Sequence, residues 1–378
     1  MQTRVNLDFD LNIGTEYMVS LFDPIQLGAV AVNNRIVMAP MTRMRASNGR
    51  VPSDLMRTYY CQRATAGLIL SEATSVSPQG VGYANTPGIW SSAQVDGWKK
   101  ITQSVHAKGG KIFLQLWHVG RVSDPEHLNG EIPVAPSAIA CKGHVSLLQP
   151  KREYVVPRAL RTEEIAGIVA DFAQGARNAR EAGFDGVEIH AANGYLIDQF
   201  LQNGTNKRLD QYGGSVENRA RFLLEIVDEC VAIWGAGRVG VHLSPCGGAH
   251  SIVDSDPDAL FGHVAHELGQ RGIAFIFVRE AIGSKSLTAD IKQLSGRPVI
   301  INEQYDFSRG QQALDIGQAD AVAFGKAFIA NPDLVARLSA GAALNSCDSD
   351  TFYSEGPKGY IDYPVLSVES LLLNEVCS

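Results

Sequence analysis

The chain has 378 residues, is 45% hydrophobic and 19% charged, and carries a formal net charge of −7. This is an ordinary globular composition on a chain long enough for a large core. It has no basic block for nucleic acid and no apolar run near the ~20 residues of a membrane span.

In chain order, residues 1–17 are polar and mixed and predict a disordered extension that contributes little to the fold. Residues 18–378 predict one domain. Residues 20–34, with Gly28 and the Asn33-Asn34 pair, predict a hairpin at the base of the fold. Beyond it, β-rich runs alternate with helical patterns. The runs predict strands at 35–39, 68–71, 111–116, 186–190, 239–243, 274–278, 298–301 and 321–324. The patterns between them predict helices at 54–66, 93–107, 162–182, 216–233, 257–270 and 306–316. Thr162, followed by Glu163 and Glu164, is read as the N-cap of the longest helix. Residues 120–158 form a long Pro-rich excursion after the third strand, a candidate lid. Eight strands with intervening helices predict a single α/β (β/α)8 TIM barrel rather than an open sheet. The six cysteines (Cys61, Cys141, Cys230, Cys246, Cys347, Cys377) contain no Cys-x-x-Cys pair. They read as free thiols of a reducing cytoplasm, and the histidines show no metal-ligand spacing.

In such a barrel the chemistry sits at the C-terminal ends of the strands. The fourth strand runs into His190-Ala-Ala-Asn193-Gly-Tyr195. His190 and Asn193 both donate hydrogen bonds and share a face if the chain turns helically there. Tyr195 adds a phenol, a weak acid that protonates only a much stronger base such as a carbanion. Two donors and a proton source suit a carbonyl oxygen on which charge develops. Other strand ends contribute Pro40, Met41 and Thr42, then Ala73, Gln115 and Trp117, and later His242 and Asn302. Gly325 and Lys326, at the end of the eighth strand, combine close backbone approach with a cation at the usual phosphate position. Taken singly, each of these residues also has a structural reading: Thr42 as a strand end, His242 as a core histidine, Lys326 as a surface cation.

In combination and order, several segments resemble the Old Yellow Enzyme family of FMN-dependent ene-reductases, classical bacterial type. They are Met38-Ala-Pro-Met-Thr-Arg43, Gln62-Arg-Ala64, Ser71-Glu-Ala-Thr74, Gln115-Leu-Trp-His-Val-Gly-Arg121, His190-Ala-Ala-Asn-Gly-Tyr-Leu196, Asp210-Gln-Tyr-Gly-Gly-Ser-Val-Glu-Asn-Arg219, Phe324-Gly-Lys326 and Asn331-Pro-Asp333. The resemblance spans about residues 21–366. It implies non-covalent FMN, reduced by NADPH or NADH. Thr42 and Gln115 would bond the flavin, Pro40, Met41 and Ala73 would line it, and Asn302, Gly325 and Lys326 would lie near its phosphate. His190 and Asn193 would hold the oxygen of a small activated alkene, and Tyr195 would protonate the α-carbon. Tyr83, Trp117 and Tyr353 would shape the pocket. The implied protein is a cytoplasmic monomer or homodimer without nucleic-acid or membrane partners.

Two residues depart from the family pattern. An arginine usual in the fifth strand, facing the flavin N1 and C2 carbonyl, is His242 here, within Val239-Gly-Val-His-Leu-Ser-Pro245. That change predicts a lower flavin potential, weaker FMN retention, or pH dependence near an imidazole pKa of ~6.5. The usual Phe-Gly-Arg is Phe-Gly-Lys, which keeps the charge but loses the guanidinium fork. The competing readings are a flavin-binding barrel with impaired turnover that acts as a sensor or binding module, a flavin-free lyase or isomerase, and a dienoyl-CoA-type reductase. The last lacks its iron–sulfur cysteines and extra nucleotide domain here.

Overall fold

The computed structural model describes residues 19–283 and 285–366. The expected extension at 1–17 lies outside the described residues. Eight parallel strands close a barrel: β3 (Ile36–Met38), β4 (Leu68–Leu70), β6 (Ile112–Trp117), β9 (Gly186–His190), β10 (Val239–Leu243), β11 (Phe275–Arg279), β12 (Val299–Asn302) and β13 (Ala321–Phe324). Each pairs in parallel with the next, and β13 returns to β3. The (β/α)8 expectation holds, and three of the eight strands match their expected bounds residue for residue.

The strands read as continuous apolar runs because helices cover one face and the barrel interior fills the other. The two faces separate cleanly by alternation. Val37, Leu70, Phe113, Phe275, Phe277, Ile300 and Ala323 fill the interior, whereas Ile36, Ile69, Leu114, Val187, Ile276 and Ile301 pack under the helices. Gly186 and Gly240 are small for a visible reason. A Cβ at either would lie 2.4 Å from the ring of Phe113 or Phe275 respectively.

The expected hairpin is β1 (Ile25–Leu27) and β2 (Val30–Val32), paired antiparallel. Leu27, Val30 and Val32 join the interior cluster and plug the base of the barrel. Gly28 makes the tight reversal at φ 59°, and a Cβ there would sit 2.4 Å from the Gly237 carbonyl oxygen. The excursion after β6 is tied across its two ends by short strands β7 (Val134–Ala135) and β8 (Arg158–Ala159). A two-residue strand, β5 (Thr74–Ser75), adds to the edge of β6.

The helices α1 (Asp54–Gln62), α2 (Ser92–His106), α3 (Thr162–Glu181), α5 (Val216–Trp234), α6 (Pro257–Gln270) and α8 (Phe307–Asp315) lie where periodicity places them. Four shorter helices escape the sequence reading: α4 (Leu196–Leu201), α7 (Thr288–Ser295), α9 (Lys326–Ala330) and α10 (Leu334–Ser339). Helix α4 is buried on every side, so it shows no polar stripe to read. The N-cap expectation at Thr162 is corrected. Arg161 occupies that position, and its backbone N–H donates to the Glu164 carboxylate at 2.7 Å. The Thr162 hydroxyl instead donates to Asp210. Among the described residues the cysteines are free, no helix is long and apolar enough to cross a membrane, and no cluster of His, Cys, Asp or Glu is placed to hold a metal.

Gly28→Ala imposes both a left-handed backbone on an L-residue and a clash with Gly237. We expect a loss of about 2 kcal/mol or more, read as a lowered thermal midpoint with the assembled fold otherwise retained. An unchanged midpoint would show that the hairpin is not pinned to the barrel base.

Candidate active site

The interior alternation continues to the C-terminal mouth of the barrel and selects the polar residues there. Two positions beyond Phe113 stands Gln115. The same face of β9 carries Glu188 and His190, that of β10 carries His242, that of β11 carries Arg279, and that of β12 carries Asn302. Register places His190 beside His242 and His242 beside Phe277. Of these, His242, Arg279 and Asn302 line a cavity of about 510 Å³. Pro40, Met41, Thr42, Asn193, His242, Asn302, Gly325, Lys326 and Tyr353 all line it. Ala73, Gln115, His190, Tyr195, Tyr83 and Trp117 lie behind or beside those walls.

The lower layer is a chain of buried polar groups. The Gln115 amide nitrogen has two hydrogens and two acceptors. It donates to Glu188 Oε2 at 2.7 Å and meets His242 Nδ1 at 3.1 Å. Nδ1 therefore accepts, and the hydrogen of the neutral His242 ring sits on Nε2. Nε2 is buried without a protein partner. Burial raises the Glu188 carboxyl to about 8, so it is mostly protonated at neutral pH.

The His190 and His242 rings are stacked, with centroids 5.0 Å apart and planes 3° apart. Burial lowers His190 to about 3, helped by the charges of Arg279 and His250. Burial also drives His242 well below its ordinary value. Both rings are neutral donors over the working pH range. Burial first, then the facing His190 and Arg279, oppose the pH dependence near ~6.5 that is one of the three consequences drawn from His242.

His190 and Asn193 do come together, but not through the helical turn expected from their spacing. Asn193 (φ 58°) and Gly194 (φ 75°) are both left-handed, and α4 starts only after Tyr195. The turn is held from four directions. Asn193 N–H donates to Ser244 Oγ at 2.7 Å, and its carbonyl meets His250 Nδ1 at 2.7 Å. Gly194 N–H donates to Asp198 at 2.8 Å, and Leu196 N–H to the His118 carbonyl at 3.0 Å. A Cβ at residue 194 would lie 2.6 Å from the Ala249 carbonyl oxygen. The Asn193 side chain is oriented by Arg279, whose Nη1 donates to Oδ1 at 2.8 Å. A guanidinium has no acceptor, so this bond fixes Oδ1 toward β11 and leaves the Nδ2 hydrogens for another acceptor.

Tyr195 rests in an aromatic cradle. Its ring lies edge-on to Trp117 and to His190, both at 5.0 Å. Its hydroxyl is 3.0 Å from that of Tyr83. Burial raises its phenol well above the ordinary value, so it keeps its proton until a strong base demands it. Tyr83, Trp117 and Ala73 share a cluster with Cys141, Leu148 and Tyr154 from the excursion, so that segment roofs Tyr195. Arg121, unassigned from sequence, fastens the roof by donating to the carbonyls of Ile139 and His250. Tyr353 reaches the mouth from the far end of the chain. Arg43 draws that segment in through the carbonyls of Phe352 and Gly359.

At the other end of the cavity are Gly325 and exposed Lys326. A Cβ at 325 would come within 3.4 Å of Met41 Sδ. The Asn302 amide nitrogen is committed to the Ala323 carbonyl at 2.8 Å, so its side chain ties β12 to β13. Sequence reasoning missed Arg279, which is paired at 3.0 Å in the cavity wall with Glu303, a strand-end residue it had given no role. The signal was the strand alternation itself, which puts residues 275, 277 and 279 on the interior face.

Residues 20–345 match the model of the family described as NADH:flavin oxidoreductase / NADH oxidase. A probable flavin mononucleotide-dependent alkene reductase from Leishmania infantum is 43% identical over 355 residues, 92% of this chain and 97% of that protein. The 12-oxophytodienoate reductase 1 of Oryza sativa subsp. japonica is 43% identical over 361 residues, with 92% and 93% covered. Among solved structures, an old yellow enzyme homologue from Zymomonas mobilis superimposes with a TM-score of 0.90 at 47% identity, covering 92% of this chain and all of that one. Morphinone reductase bound to tetrahydroNAD gives 0.90 at 48%, with 93% and 99% covered. With this fold, this strand-end constellation and these matches, the chain belongs to the NADH:flavin oxidoreductase family that includes the Old Yellow Enzymes.

Proposed function

We propose that this chain is an FMN-dependent ene-reductase that takes electrons from NADPH or NADH and reduces an alkene activated by a carbonyl or nitro group. The observation that carries the reading is the set His190, Asn193 and Tyr195, held rigidly at the mouth of a barrel beside unpartnered donors. Bound FMN supplies the hydride chemistry, accepting two electrons from a nicotinamide and passing them to the alkene.

The residues present fit that group. Nε2 of His242 is a buried donor without a partner. The amide nitrogen of Gln115 is used beneath the site, so its Oε1 would be the atom left to accept from a flavin N–H. Thr42 supplies a hydroxyl from the end of β3, and Pro40, Met41 and Ala73 supply backbone along the same side. Lys326 and the side-chain-free Gly325 suit a phosphate, and Asn302, with one amide hydrogen on the Ala323 carbonyl, keeps the other for a neighbour.

On substrate, His190 and the Nδ2 hydrogens of Asn193 donate to the activating oxygen. Each such donor in a dry, preorganised site is worth ~3 kcal/mol. Withdrawing density through that oxygen opens the β-carbon to hydride and leaves carbanion character on the α-carbon. Tyr195 gives its phenolic proton there, and the Tyr83 hydroxyl is in position to support the resulting phenolate. Trp117 and Tyr353 bound the space.

The purified protein is expected to show an oxidised-flavin band near roughly 450 nm. Anaerobic NADPH or NADH should bleach it and 2-cyclohexenone should restore it. A colourless protein that takes up no added FMN would overturn the reading. Tyr195→Phe should slow the enone half-reaction by about 10²–10⁴ and leave flavin reduction near wild type in stopped-flow. Equal loss in both half-reactions would remove Tyr195 from the proton step. Because both imidazoles stay neutral, affinity for the enone oxygen should be flat between about pH 5 and 7. A midpoint near the ordinary imidazole value would show that one of the rings titrates.

A further inference from the structure

We propose that Arg279, on the sixth barrel strand, supplies the positive charge that stabilises the reduced flavin, in place of the fifth strand, which offers only the neutral donor His242. The inference rests on the flavoenzyme reading above. When a nicotinamide transfers hydride, the flavin gains two electrons and one proton, and the oxidised nicotinamide leaves. The negative charge then spreads over N1 and the C2 carbonyl. A barrel that stabilises that charge needs a cation or strong donors at this end of the ring.

Three cationic side chains line the cavity. Arg43 is fully buried, and its guanidinium is bonded to Phe352 O, Tyr59 Oη and Gly359 O. Lys326 stands at the end of β13, the phosphate side. Arg279 stands two strands further round the circuit from Lys326, one strand from His242. Phe277, the preceding interior residue of β11, touches the His242 ring at 4.3 Å. Arg279 follows on the same face and nearer the mouth. Its side chain is about one-third exposed, at 36%, and two bonds aim it. Nη1 donates to Asn193 Oδ1 at 2.8 Å, and Nε to Glu303 Oε2 at 3.0 Å. Its charge is felt across the site, since it disfavours protonation of His190 and His242 and favours ionisation of Tyr195. One guanidinium thus orients the Asn193 amide and carries its charge to the part of the cavity beside His242. Glu303, paired with Nε at the mouth, offsets part of that charge from the rim, while Nη1 carries the other side of the guanidinium toward Asn193.

The test is the two-electron midpoint potential of the FMN-loaded protein, with dissociation constants for oxidised and reduced FMN. Arg279→Gln is expected to weaken reduced FMN about tenfold relative to oxidised FMN, which is about 30 mV for a two-electron couple. Arg279→Lys should keep most of the wild-type potential. Adding His242→Arg to Arg279→Gln should restore it, since the charge returns from the adjacent strand. A role confined to orienting Asn193 would slow the enone half-reaction and leave the potential where it was. An Arg279→Gln protein that stays yellow with an unshifted potential therefore overturns the proposal and leaves the ene-reductase reading intact. A double variant no better than Arg279→Gln also counts against it. A wild-type protein that takes up no FMN sinks both.

Discussion

Asn193 and Gly194 leave strand β9 with successive left-handed backbone angles, and Asn193 and Tyr195 take their direction from that reversal. A left-handed asparagine costs about 1–2 kcal/mol, so the surroundings must over-determine it. They do so from separate elements. Ser244 follows β10, His250 lies in the loop beyond it, Asp198 is in α4 and His118 follows β6. Asp198 is itself buried, with its carboxyl raised to about 7, and it is tolerated because it accepts from Gly194 and Gln202. The turn returns Asn193 over the barrel mouth beside His242, while His190 remains in the strand. Placement of two donors and a phenol in six residues is therefore a property of the whole upper barrel.

Charge in the site is layered. The lower layer is neutral. His190 and His242 stack face to face, which makes protonation of one costly to the other, and burial acts in the same direction. Beneath them Glu188 is held largely protonated, and Gln115 links it to His242. Formal charge in the cavity wall stands at the rim, on Arg279 and Glu303, at the phosphate end on Lys326, and on the buried Arg43. Neutral donors fixed by stacking and by strand register need no reorganisation when charge develops on a bound oxygen, and this is the condition under which they are most effective.

The barrel was legible because its strands alternate two packed faces with helices of strong 3.6 periodicity. The hairpin was legible from Gly28, and the strand-end chemistry from its order along the chain. The failures have physical causes. Helix α4 is buried all round and shows no amphipathic face. Thr162 offered a better capping side chain than Arg161, yet Glu164 satisfies the backbone from the far side and Asp210 claims the threonine hydroxyl. The spacing of His190 and Asn193 suggested a helical turn, and left-handed backbone produced the same proximity by another path. Arg279 was passed over because the sixth strand was read to end at residue 278, one short of it. It is identified only when strand parity is carried to the rim.

That parity also explains how a barrel can move a charge without rebuilding a site. Interior residues of neighbouring parallel strands sit in common layers, with strands about 4.8 Å apart. An arginine side chain is longer than that separation. A cation on β11 therefore acts on the same region as one on β10, provided its head is aimed. Here Asn193 and Glu303 aim it. The exchange also has a packing logic. His242 is short enough to stack on His190 and to accept from Gln115 in the dry lower layer. Arg279 holds its charge at the rim, where water and Glu303 solvate its outer side. The layer, rather than the individual strand position, is the unit in which this site keeps its electrostatics.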